Sequence, residues 1–361
     1  MGINYDKNSF LTGLVISQVL RGYFGNGMKP PENTKAVLNL SSSNFLTQDI
    51  YFTQSQANGV TIDWGDGSAT ETVTDLSAHA SHTYSRVGEY VIQFIVDRGV
   101  TWSPGATITS GGEATEHGFI TPSSNEKDED NIGLVMFMFG RGTTLQQPGA
   151  FFDCKALRSV NIPEVTHIPE RAFRGCENLK IITFPSSVVS VGDYAFASCK
   201  SADFASIIPQ LTGTIGAHAF EHCERISEDI EIRATSVGTC AFGSCTRLRH
   251  AWIRDTVQIL DVNVTTVSDT TSYYGPFYQC NGWLVLYPEC TQANKPVGWA
   301  TGFDYDKTTN SETLIVFWNQ DHKPTISLKS VWNCHGRILT FTDDIDRQEG
   351  YVYSSSILTI Y

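Results

Sequence analysis

The chain has 361 residues, of which 41% are hydrophobic and only 17% are charged, and its formal net charge is −13. This length allows two or three domains, and the abundance of Thr, Val, Ile and Tyr favours β structure. The negative charge argues against binding to nucleic acid or to an anionic membrane surface, because both need a basic face on the protein. No run of 18 apolar residues occurs, so the sequence predicts no membrane-spanning helix.

Residues 1–32 contain one short apolar stretch, from Phe10 to Leu20. A secretory signal would have a more basic start and a small-residue cleavage site, whereas this stretch follows a single lysine and precedes Arg21. The alternative is a short amphipathic helix that ends at Gly25 or Gly27. We therefore expect residues 1–32 to be a separate N-terminal segment rather than an export signal, and an anchoring role for it follows only from a resemblance described below.

The next segment carries alternating apolar residues and turns. Residues 60–96 read VTIDWGDGSATETVTDLSAHASHTYSRVGEYVIQFIV. The pieces VTIDW and YVIQFIV predict strands with one buried face, and GDG has the composition of a turn between strands. With HTY followed by GEY, the pattern resembles the polycystic-kidney-disease (PKD) type domain over residues 33–98, which implies an immunoglobulin-like β-sandwich. The resemblance rests on Trp64, Gly65, Asp66, Gly67, His82, Thr83, Tyr84, Gly88 and Tyr90.

Two aspartates of this segment, Asp63 and Asp66, could suggest a calcium site. A calcium loop of the EF-hand type needs an oxygen ligand at its third position, and counted from Asp63 that position is Gly65. That pattern therefore fails, although ligands from other segments could still converge there. His82 has no nucleophile tied to it in the sequence, so we interpret it as a structural histidine rather than a base.

Residues 99–131 are rich in Gly, Ser and Thr and end in NEKDEDN. A charge run of this kind is usually a solvated loop. The segment is long for a connection inside a compact domain, so it is either a linker or an ordered excursion.

An internal repeat dominates the chain after residue 131. The element AFxxC occurs five times, and a degenerate copy, PFYQC, begins at Pro276. Neighbouring copies are 22 to 24 residues apart, except before the last one, where an insertion lengthens the interval to 35. The invariant positions predict a buried ladder, in which cysteines act as small reduced hydrophobic residues rather than disulfides. Its members are Phe151, Cys154, Phe173, Cys176, Phe196, Cys199, Phe220, Cys223, Phe242, Cys245, Phe277 and Cys280.

The stretch IGAHAFEHC, residues 215–223, could be taken for a metal site or for a thiol nucleophile with its base. Aligned on the repeat, His218 falls in a slot that holds Gly, Arg, Tyr and Cys in other copies. His222 falls in a slot that holds Asp, Gly, Ser and Gln elsewhere. Both slots vary freely, as outward-facing positions do. We therefore interpret the stretch as a structural part of the repeat, with no metal site and no catalytic cysteine.

Each repeat unit is predicted to be one strand plus turns, which must stack on its neighbours to bury its apolar face. Pro163, Pro185 and Pro209 follow the short strand in three units and would end it. The pattern L…V/I.IP..V..IG..AF..C closely resembles the BspA-like (Treponema-type) leucine-rich repeat family, and the resemblance implies a solenoid over residues 132–318. The insertion Asp255–Tyr274 would project from it, on what is commonly the binding face of a repeat protein.

The final segment, residues 319–361, contains strand-like pieces such as RILTF and VYSSSILTIY, and it predicts a small β unit or a cap on the solenoid. The predicted fold is therefore mainly β. It consists of an immunoglobulin-like β-sandwich of PKD type, a leucine-rich repeat solenoid and a small C-terminal β unit.

No catalytic motif is found: the sequence has no GxSxG elbow, no phosphate-binding Gly loop, no HExxH and no CxxC pairs at zinc spacing. We therefore expect a protein that is not an enzyme and has no cofactor. A pair of carboxylates for glycoside hydrolysis cannot be recognised from sequence, so a carbohydrate-active enzyme stays an alternative. A sandwich followed by a solenoid exposes broad rigid surfaces, which is typical of binding and display proteins.

The N-terminal stretch NYDKNSFLTGLVISQVLRGY resembles the start of proteins encoded near tail genes in phages and prophages of gut-type bacteria. The resemblance implies a phage virion protein, tail-associated or otherwise displayed, that docks on other virion proteins through residues 1–30. The solenoid would then mediate adhesion to a host surface glycan or protein. The alternative is an exported bacterial surface adhesin of the BspA-like type. Neither hypothesis requires nucleic acid or membrane insertion, and both are compatible with a homo-oligomer.

Candidate ligand contacts are aromatic residues of the insertion and of the closing unit of the solenoid, because aromatic faces bind sugars and anchor protein partners alike. The alternative is that most of them cap the core of the solenoid. The candidates are Tyr273, Tyr274, Tyr278, Trp283 and Trp299.

Overall fold

The structure is a computed structural model that describes residues 31–41, 43, 46–110, 113–122, 133–226, 229–267, 270–280, 284–301, 303, 314–317, 330–334, 337–341, 350–352 and 358–360. These residues form strands and turns and include no α-helix, which confirms the mainly-β prediction. The short 3₁₀ helices among them are Ile208–Gln210 and Gln292–Asn294. No helix in this part of the chain is long and apolar enough to cross a membrane.

The described strands are numbered in chain order. The first fourteen are β1 (Thr34–Leu40), β2 (Thr47–Gln54), β3 (Val60–Asp63), β4 (Glu71–Val73), β5 (Ser77–Thr83), β6 (Gly88–Val96), β7 (Trp102–Pro104), β8 (Ala106–Ser110), β9 (Glu113–His117), β10 (Ile120–Pro122), β11 (Leu134–Met138), β12 (Ser159–Asn161), β13 (His167–Ile168) and β14 (Ile181–Thr183). The others are β15 (Ser190–Val191), β16 (Thr214–Ile215), β17 (Asp229–Ile232), β18 (Ser236–Val237), β19 (His250–Ile253), β20 (Ile259–Leu260), β21 (Asn263–Val267), β22 (Thr270–Tyr274), β23 (Val285–Pro288), β24 (Gly298–Trp299), β25 (Ile315–Phe317), β26 (Ser330–Cys334), β27 (Arg337–Phe341), β28 (Gly350–Val352) and β29 (Leu358–Ile360).

The chain forms two compact units. Unit 1 comprises the described residues up to Gln147 together with Cys154–Pro163 and Ile181–Pro185. Unit 2 comprises Pro148–Asp153, Glu164–Lys180 and the described residues from Ser186 onward. The boundary that the sequence suggests, between residues 131 and 132, therefore falls inside unit 1.

The larger sheet of unit 1 has the order β14-β12-β11-β1-β6-β3-β4. Strand β11 pairs antiparallel with β1 on one side and parallel with β12 on the other. The first strands that the sequence assigns to the solenoid thus lie in the same sheet as strands that it assigns to the sandwich. The physical reason is that all five residues of β11 are buried, so its backbone N–H and C=O groups on both edges must form hydrogen bonds with neighbouring strands rather than with water.

The smaller sheet of unit 1 has β2 at its centre. Strand β5 pairs along one edge of β2, while β10 and β7 pair with successive parts of the other edge. The strands β7–β10 come from residues 99–122, so this part of the segment is an ordered excursion rather than a linker. Trp102 and Phe119 hold it in place, since both side chains are fully buried.

Aromatic rings from the two sheets form the core of unit 1. Phe52 of β2 meets Phe94 of β6 edge to face at 6.4 Å, and the Trp102 ring stacks on Phe94 at 4.7 Å. Strand β2 alternates strictly between half-buried and buried residues, as a strand with one face on a core should.

The residues that suggested a sandwich motif pack against one another in unit 1. The Tyr84 hydroxyl donates a hydrogen bond to the Trp64 carbonyl oxygen at 3.1 Å, and the His82 ring stacks on the Trp64 ring at 4.7 Å. His82 Nε2 lies 2.9 Å from the Asp66 carboxylate, so this histidine is a satisfied structural residue. Gly65 has a φ of +76° and lies against the Val91 backbone, which leaves no room for a side chain.

Unit 2 is built from parallel strands that repeat along the chain. One sheet has the order β13-β15-β16-β18-β20-β24, with successive strands parallel. A second sheet continues from β17 through β19 and β23 to β25 in parallel and ends with the antiparallel strands β28 and β29. The hairpin β26–β27 accompanies these last strands in the C-terminal segment. The predicted solenoid is confirmed in this region.

The AFxxC turns form a third stacked row beside the two sheets of unit 2. In each turn the Phe backbone N–H donates to the carbonyl oxygen of the residue that precedes Phe in the next turn, as in Phe196 to Ala219 at 2.9 Å. The six ladder phenylalanines stack almost parallel, with ring centroids 5.2 to 5.7 Å apart. All twelve ladder residues are buried.

The two variable slots of each turn have a backbone constraint that the sequence does not show. In the five AFxxC turns the residues of both slots have positive φ, from 51° at Cys240 to 78° at Gly175, and in the PFYQC turn Gln279 does so as well. Most of them are not glycine, and an L residue in this conformation costs about 1–2 kcal/mol. The side chains can vary because they leave the turn, while the backbone cannot.

The third repeat differs from the expectation that a strand precedes Pro209. Residues Ile208–Gln210 form a 3₁₀ helix there, and the strand row resumes only at β17. Proline suits this helix because its fixed φ matches and its missing N–H is not needed in the first turn. Buried Phe204, which packs on Phe196 and Phe220, fills the space instead.

Candidate functional site

The insertion predicted to project from the solenoid is a β-hairpin. Strands β21 and β22 pair antiparallel, with Asn263 opposite Tyr274 and Val264 opposite Tyr273. Four consecutive residues, 263–266, are all exposed, although successive side chains of a strand point to opposite faces. The hairpin therefore presents both of its faces to solvent. We call the residues Val264, Tyr273, Tyr274 and Tyr278 the hairpin site.

Two of the predicted contact residues, Tyr274 and Tyr278, are in contact, while Tyr273 lies opposite Val264 on the other face of the hairpin. The rings of Tyr274 and Tyr278 lie 4.9 Å apart, and the Gln279 side-chain amide donates to the Tyr278 hydroxyl at 3.2 Å. All three tyrosines are half-buried, and Val264 is 50% exposed. The site thus offers apolar rings and hydroxyl groups at one edge of the repeat stack.

The repeat stack continues across the insertion. The Cys240 backbone N–H donates to the Gly275 carbonyl oxygen at 3.0 Å, and the Phe242 N–H donates to the Pro276 carbonyl oxygen at 2.8 Å. The rings of Phe242 and Phe277 keep the ladder spacing at 5.7 Å. The hairpin therefore leaves and rejoins an undisturbed stack, which gives its base a fixed position.

The other two predicted contact residues do not belong to the hairpin site. Trp299 is 3% exposed, and its indole N–H donates to the Val257 carbonyl oxygen at 2.9 Å. Its interpretation as a ligand contact is wrong: Trp299 ends the strand β24 inside the core, where its large apolar surface is removed from water. Trp283 lies outside the described residues.

The ladder cysteines have the properties of core residues rather than nucleophiles. Cys199, Cys223 and Cys245 donate their thiols to the carbonyl oxygens of Phe173, Phe196 and Phe220 at 3.2 Å. Burial raises the pKa of these three thiols well above the ordinary value. The thiolate, which is the reactive form, is therefore absent at neutral pH.

A row of charged side chains at the ends of the strands β17, β19 and β23 was not predicted from the sequence. Glu231 is contacted by Arg254 at 2.6 Å and by Arg233 at 2.8 Å, and Arg254 reaches Glu289 at 3.6 Å. Burial alone would raise the pKa of Glu231, but hydrogen bonds from the two arginines outweigh it and lower the pKa. The alternation of DIEI in β17 was the available signal, because its acidic residues share one face.

Comparison with protein families gives a match over most of the repeat. Residues 146–269 match the model of the BspA type leucine rich repeat region, in six copies. Over these residues the chain is similar to the BspA type leucine rich repeat region, and the structure forms a solenoid of parallel strands there. The match includes strand β21 of the hairpin site and ends before β22.

Three solved leucine-rich repeat structures are similar to the chain. A leucine rich repeat protein of T. pallidum is 22% identical, with a TM-score of 0.29, over 49% of this chain and 72% of the other. A leucine rich cell surface protein of Faecalibacterium prausnitzii A2-165 is 20% identical, with a TM-score of 0.24, over 40% and 44%. A leucine-rich repeat protein of Bacteroides ovatus ATCC 8483 is 20% identical, with a TM-score of 0.27, over 51% and 53%. The chain thus spans about half the length of the last two. A search of curated proteins found no match.

Proposed function

We propose that this protein is a non-catalytic surface adhesin that binds its partner through the hairpin site. The observation that carries the proposal is a hairpin exposed on both faces, with a valine and three tyrosines at its base and edge. Tyrosine is enriched among residues that dominate the energy of protein interfaces, because its ring is large and its hydroxyl can still form hydrogen bonds.

The BspA-type solenoid supports this role through rigidity. Three rows of backbone hydrogen bonds, two in the sheets and one in the AFxxC turns, fix the base of the hairpin. A binding surface that is ordered before it meets its partner loses less conformational entropy on binding. The repeats supply the scaffold, and the hairpin supplies the contacts.

The chemistry of the conspicuous side chains supports a non-catalytic protein. The ladder thiols are buried and protonated, and His82 is held by Asp66 and Trp64. The alternative of a carbohydrate-active enzyme has a direct test, which is turnover of bacterial and host polysaccharides by the purified chain. Release of reducing sugar would contradict the proposal.

The binding proposal is tested by comparing the wild-type protein with variants of the hairpin and with one control variant outside it. Fluorescently labelled protein is applied to an array of surface glycans and surface proteins, beside a variant in which a Gly-Ser linker replaces residues 263–274. We expect wild-type binding to at least one spot, loss of binding in the linker variant and a weakening in Val264→Ser and Tyr273→Ala. Val297→Ser is the matched control, because Val297 is fully exposed but lies outside the hairpin. Equal binding by the linker variant would exclude the hairpin as the contact.

The location of the protein is proposed separately. A surface adhesin should be found by gold-labelled antibody on cell envelopes. The phage virion hypothesis rests on the N-terminal resemblance, which lies outside the described residues, and it predicts gold on phage particles instead. Deletion of residues 1–30 should then abolish incorporation into particles.

A further inference from the structure

Three side chains capable of binding a metal converge between two neighbouring turns of unit 2. His218 and Cys240 occupy the same slot in successive AFxxC turns, and Glu221 follows three residues after His218. The His218 backbone N–H donates to the Thr239 carbonyl oxygen at 2.8 Å, which holds the two turns in register. Both slot residues have positive φ, 56° and 51°, so their side chains leave the turns in the same direction. The stack therefore brings distant parts of the sequence side by side.

The ligand atoms of these residues lie close enough to share one ion. One imidazole nitrogen, one carboxylate oxygen and the Cys240 sulfur are all within 4.8 Å of one another. Ligand atoms around a tetrahedral zinc ion are about 3.5 Å apart, because zinc binds nitrogen and oxygen at about 2.0–2.2 Å and sulfur at about 2.3 Å. A contraction of about 1 Å, within the reach of side-chain rotation, would close the site.

The His218 imidazole has a buried nitrogen, Nδ1, that is available to bind a metal ion. His218 Nδ1 lies 3.0 Å from the Glu221 carboxylate. The geometry is not that of a hydrogen bond, however, and this buried nitrogen has no hydrogen-bond partner within the described part of the chain. A buried polar atom without a hydrogen bond is costly, and a cation bound between this nitrogen and the Glu221 carboxylate would remove that cost.

Cys240 differs from the ladder cysteines in place and in contacts. Five ladder thiols donate to a phenylalanine carbonyl oxygen of the preceding turn, as Cys245 does to Phe220. Among the described residues Cys240 makes no such hydrogen bond, although it is only 2% exposed. Its sulfur faces His218 and Glu221 instead. The repeat therefore explains the ladder cysteines and leaves Cys240 unexplained.

We propose that His218, Glu221 and Cys240 form a binding site for one divalent transition-metal ion, with zinc as the preferred metal. Nitrogen, oxygen and sulfur ligands together suit zinc, whereas calcium and magnesium require oxygen ligands. Three protein ligands leave a fourth position for water or for a group of a binding partner. The Gly275 backbone, at the end of the hairpin site, is hydrogen-bonded to Cys240, so the ion would also brace the base of the hairpin.

Tyr194 positions the imidazole from the side away from Cys240. Its ring stacks on the His218 ring at 4.4 Å with an interplanar angle of 3°, and the Arg174 guanidinium lies over the Tyr194 ring at 5.2 Å. A stacked imidazole has little freedom to rotate. Such packing around a ligand is what holds a metal site in its productive geometry.

The test is titration of the full-length, metal-free chain with zinc chloride and, separately, with cobalt chloride. We expect one zinc ion per chain by calorimetry, and a sulfur-to-cobalt charge-transfer band in the absorption spectrum of the cobalt form. Cys240→Ser should abolish the charge-transfer band, and His218→Asn, which removes a direct ligand, should weaken zinc binding by at least the roughly 10–100-fold that the loss of an outer-shell partner costs. Asparagine is chosen because it tolerates positive φ. Glu221→Gln, at a half-exposed position, gives a variant that keeps the fold if Cys240→Ser does not.

Two matched controls decide whether the ion is held by this cluster. His222→Asn changes the histidine of the other slot in the same turn, and Cys290→Ser removes a half-buried cysteine outside the cluster. Both should bind zinc as the wild type does. Zinc should also raise the melting temperature of the wild type and of these controls, but not of Glu221→Gln. Absence of zinc binding by the wild type, or equal binding by Glu221→Gln and His218→Asn, would overturn the proposal.

Discussion

The two units of this protein bury aromatic cores in opposite ways. In unit 1, Phe52, Phe94 and Trp102 meet largely edge to face, and they come from strands far apart in the sequence. In unit 2, six phenylalanines stack almost parallel, and each comes from the same position of a repeat. A core built by repetition can be recognised in the sequence, because one solution recurs every 22 to 24 residues. A core built once has no such signature.

The largest expected effect comes from breaking the ladder in its middle. Phe196 lies between Phe173 and Phe220 and is fully buried. Phe196→Ala should lower the free energy of unfolding by about 3–5 kcal/mol, through lost burial and the cavity left behind. Urea unfolding followed by circular dichroism measures the change.

Phe152→Ala is the matched control for the ladder. Phe152 lies in an AFxxC turn but is 40% exposed, with Arg174 over its ring at 5.5 Å. Its loss should cost about 0.5–1 kcal/mol. If both variants cost the same, the ladder would not be the core of unit 2. Phe94→Ala in unit 1 should also cost about 3–5 kcal/mol, because burial rather than repetition sets the size of the loss.

A second way to break unit 2 uses the glycine that follows several of the short strands. A Cβ on Gly216 would lie 2.5 Å from the Asp193 backbone nitrogen and 2.6 Å from the Gly192 carbonyl carbon. Gly216→Ala should therefore cost about 3 kcal/mol, since two backbones would have to move apart. The melting temperature and the urea midpoint both report this loss.

Gly149→Ala measures the cost of positive φ without the steric clash that a Cβ would cause at Gly216. Gly149 has a φ of +62°, but a Cβ there meets nothing closer than 3.8 Å. Its cost should be about 1 kcal/mol, from φ alone. A cost at Gly216 no greater than at Gly149 would mean that the turns have room to separate, contrary to the structure.

The difference between the units also explains how much the sequence could predict. The repeated AFxxC element predicted the solenoid and its buried ladder, because Phe and Cys recur while their neighbours vary. The extent of unit 1 could not be predicted in this way: Trp102 and Phe119 bind residues 99–122 to β2 by contacts that no local pattern indicates. The 3₁₀ helix at Pro209 was missed because the proline suits both the end of a strand and a tight helix.

The candidate sites, too, could be predicted only where a local sequence pattern indicates them. The sequence suggested Tyr273, Tyr274 and Tyr278 because they lie in or beside an insertion, and in the structure Tyr274 contacts Tyr278 while Tyr273 lies opposite Val264. It could not separate Trp299 from them, because burial of an aromatic residue depends on what packs over it. The meeting of His218 with Cys240 depends on the stacking of two turns, so neither residue alone could indicate it.

A smaller effect, in the opposite direction, is expected at the variable slots. Ser198 has a φ of 62°, which is strained for serine and free for glycine. Ser198→Gly should raise the free energy of unfolding by up to about 1 kcal/mol, after the greater backbone entropy of glycine in the unfolded chain is subtracted. Ser190→Gly is the control, because Ser190 lies in the extended strand β15 and its hydroxyl accepts a hydrogen bond from the Thr214 N–H. That variant should lose about 1 kcal/mol or more.

Ser198→Gly distinguishes two explanations of why the slots vary. If it stabilises the protein, the slots are strained positions that tolerate many residues at a cost. If it destabilises the protein as much as Ser190→Gly does, the slot side chains form stabilising contacts. Their variation would then reflect differences in binding or packing, not an absence of contacts. The same unfolding assay separates the two results.

The smallest expected effect lies in unit 1, at the contact between Asp66 and His82. Hydrogen bonds from the Ser68 hydroxyl and backbone N–H, together with His82, lower the pKa of Asp66 from 3.8 to about 2. Because the folded pKa is lower than the unfolded one, the stabilisation is complete above about pH 4 and is lost as the pH falls toward 2. Solvent screening limits it to a few tenths of a kcal/mol.

Urea midpoints of the wild type and of Asp66→Asn should therefore differ slightly at pH 6 and converge between pH 4 and pH 2. A difference that stays constant over this range would assign the role of Asp66 to the shape of its turn rather than to its charge. Convergence of the two urea midpoints would show that the charge of Asp66 makes only a small contribution to stability. The motif residue that is easiest to recognise in unit 1 would contribute far less stability than Phe196 does in unit 2, because water can replace the partners of a solvent-screened charge but not the contacts of a buried ring.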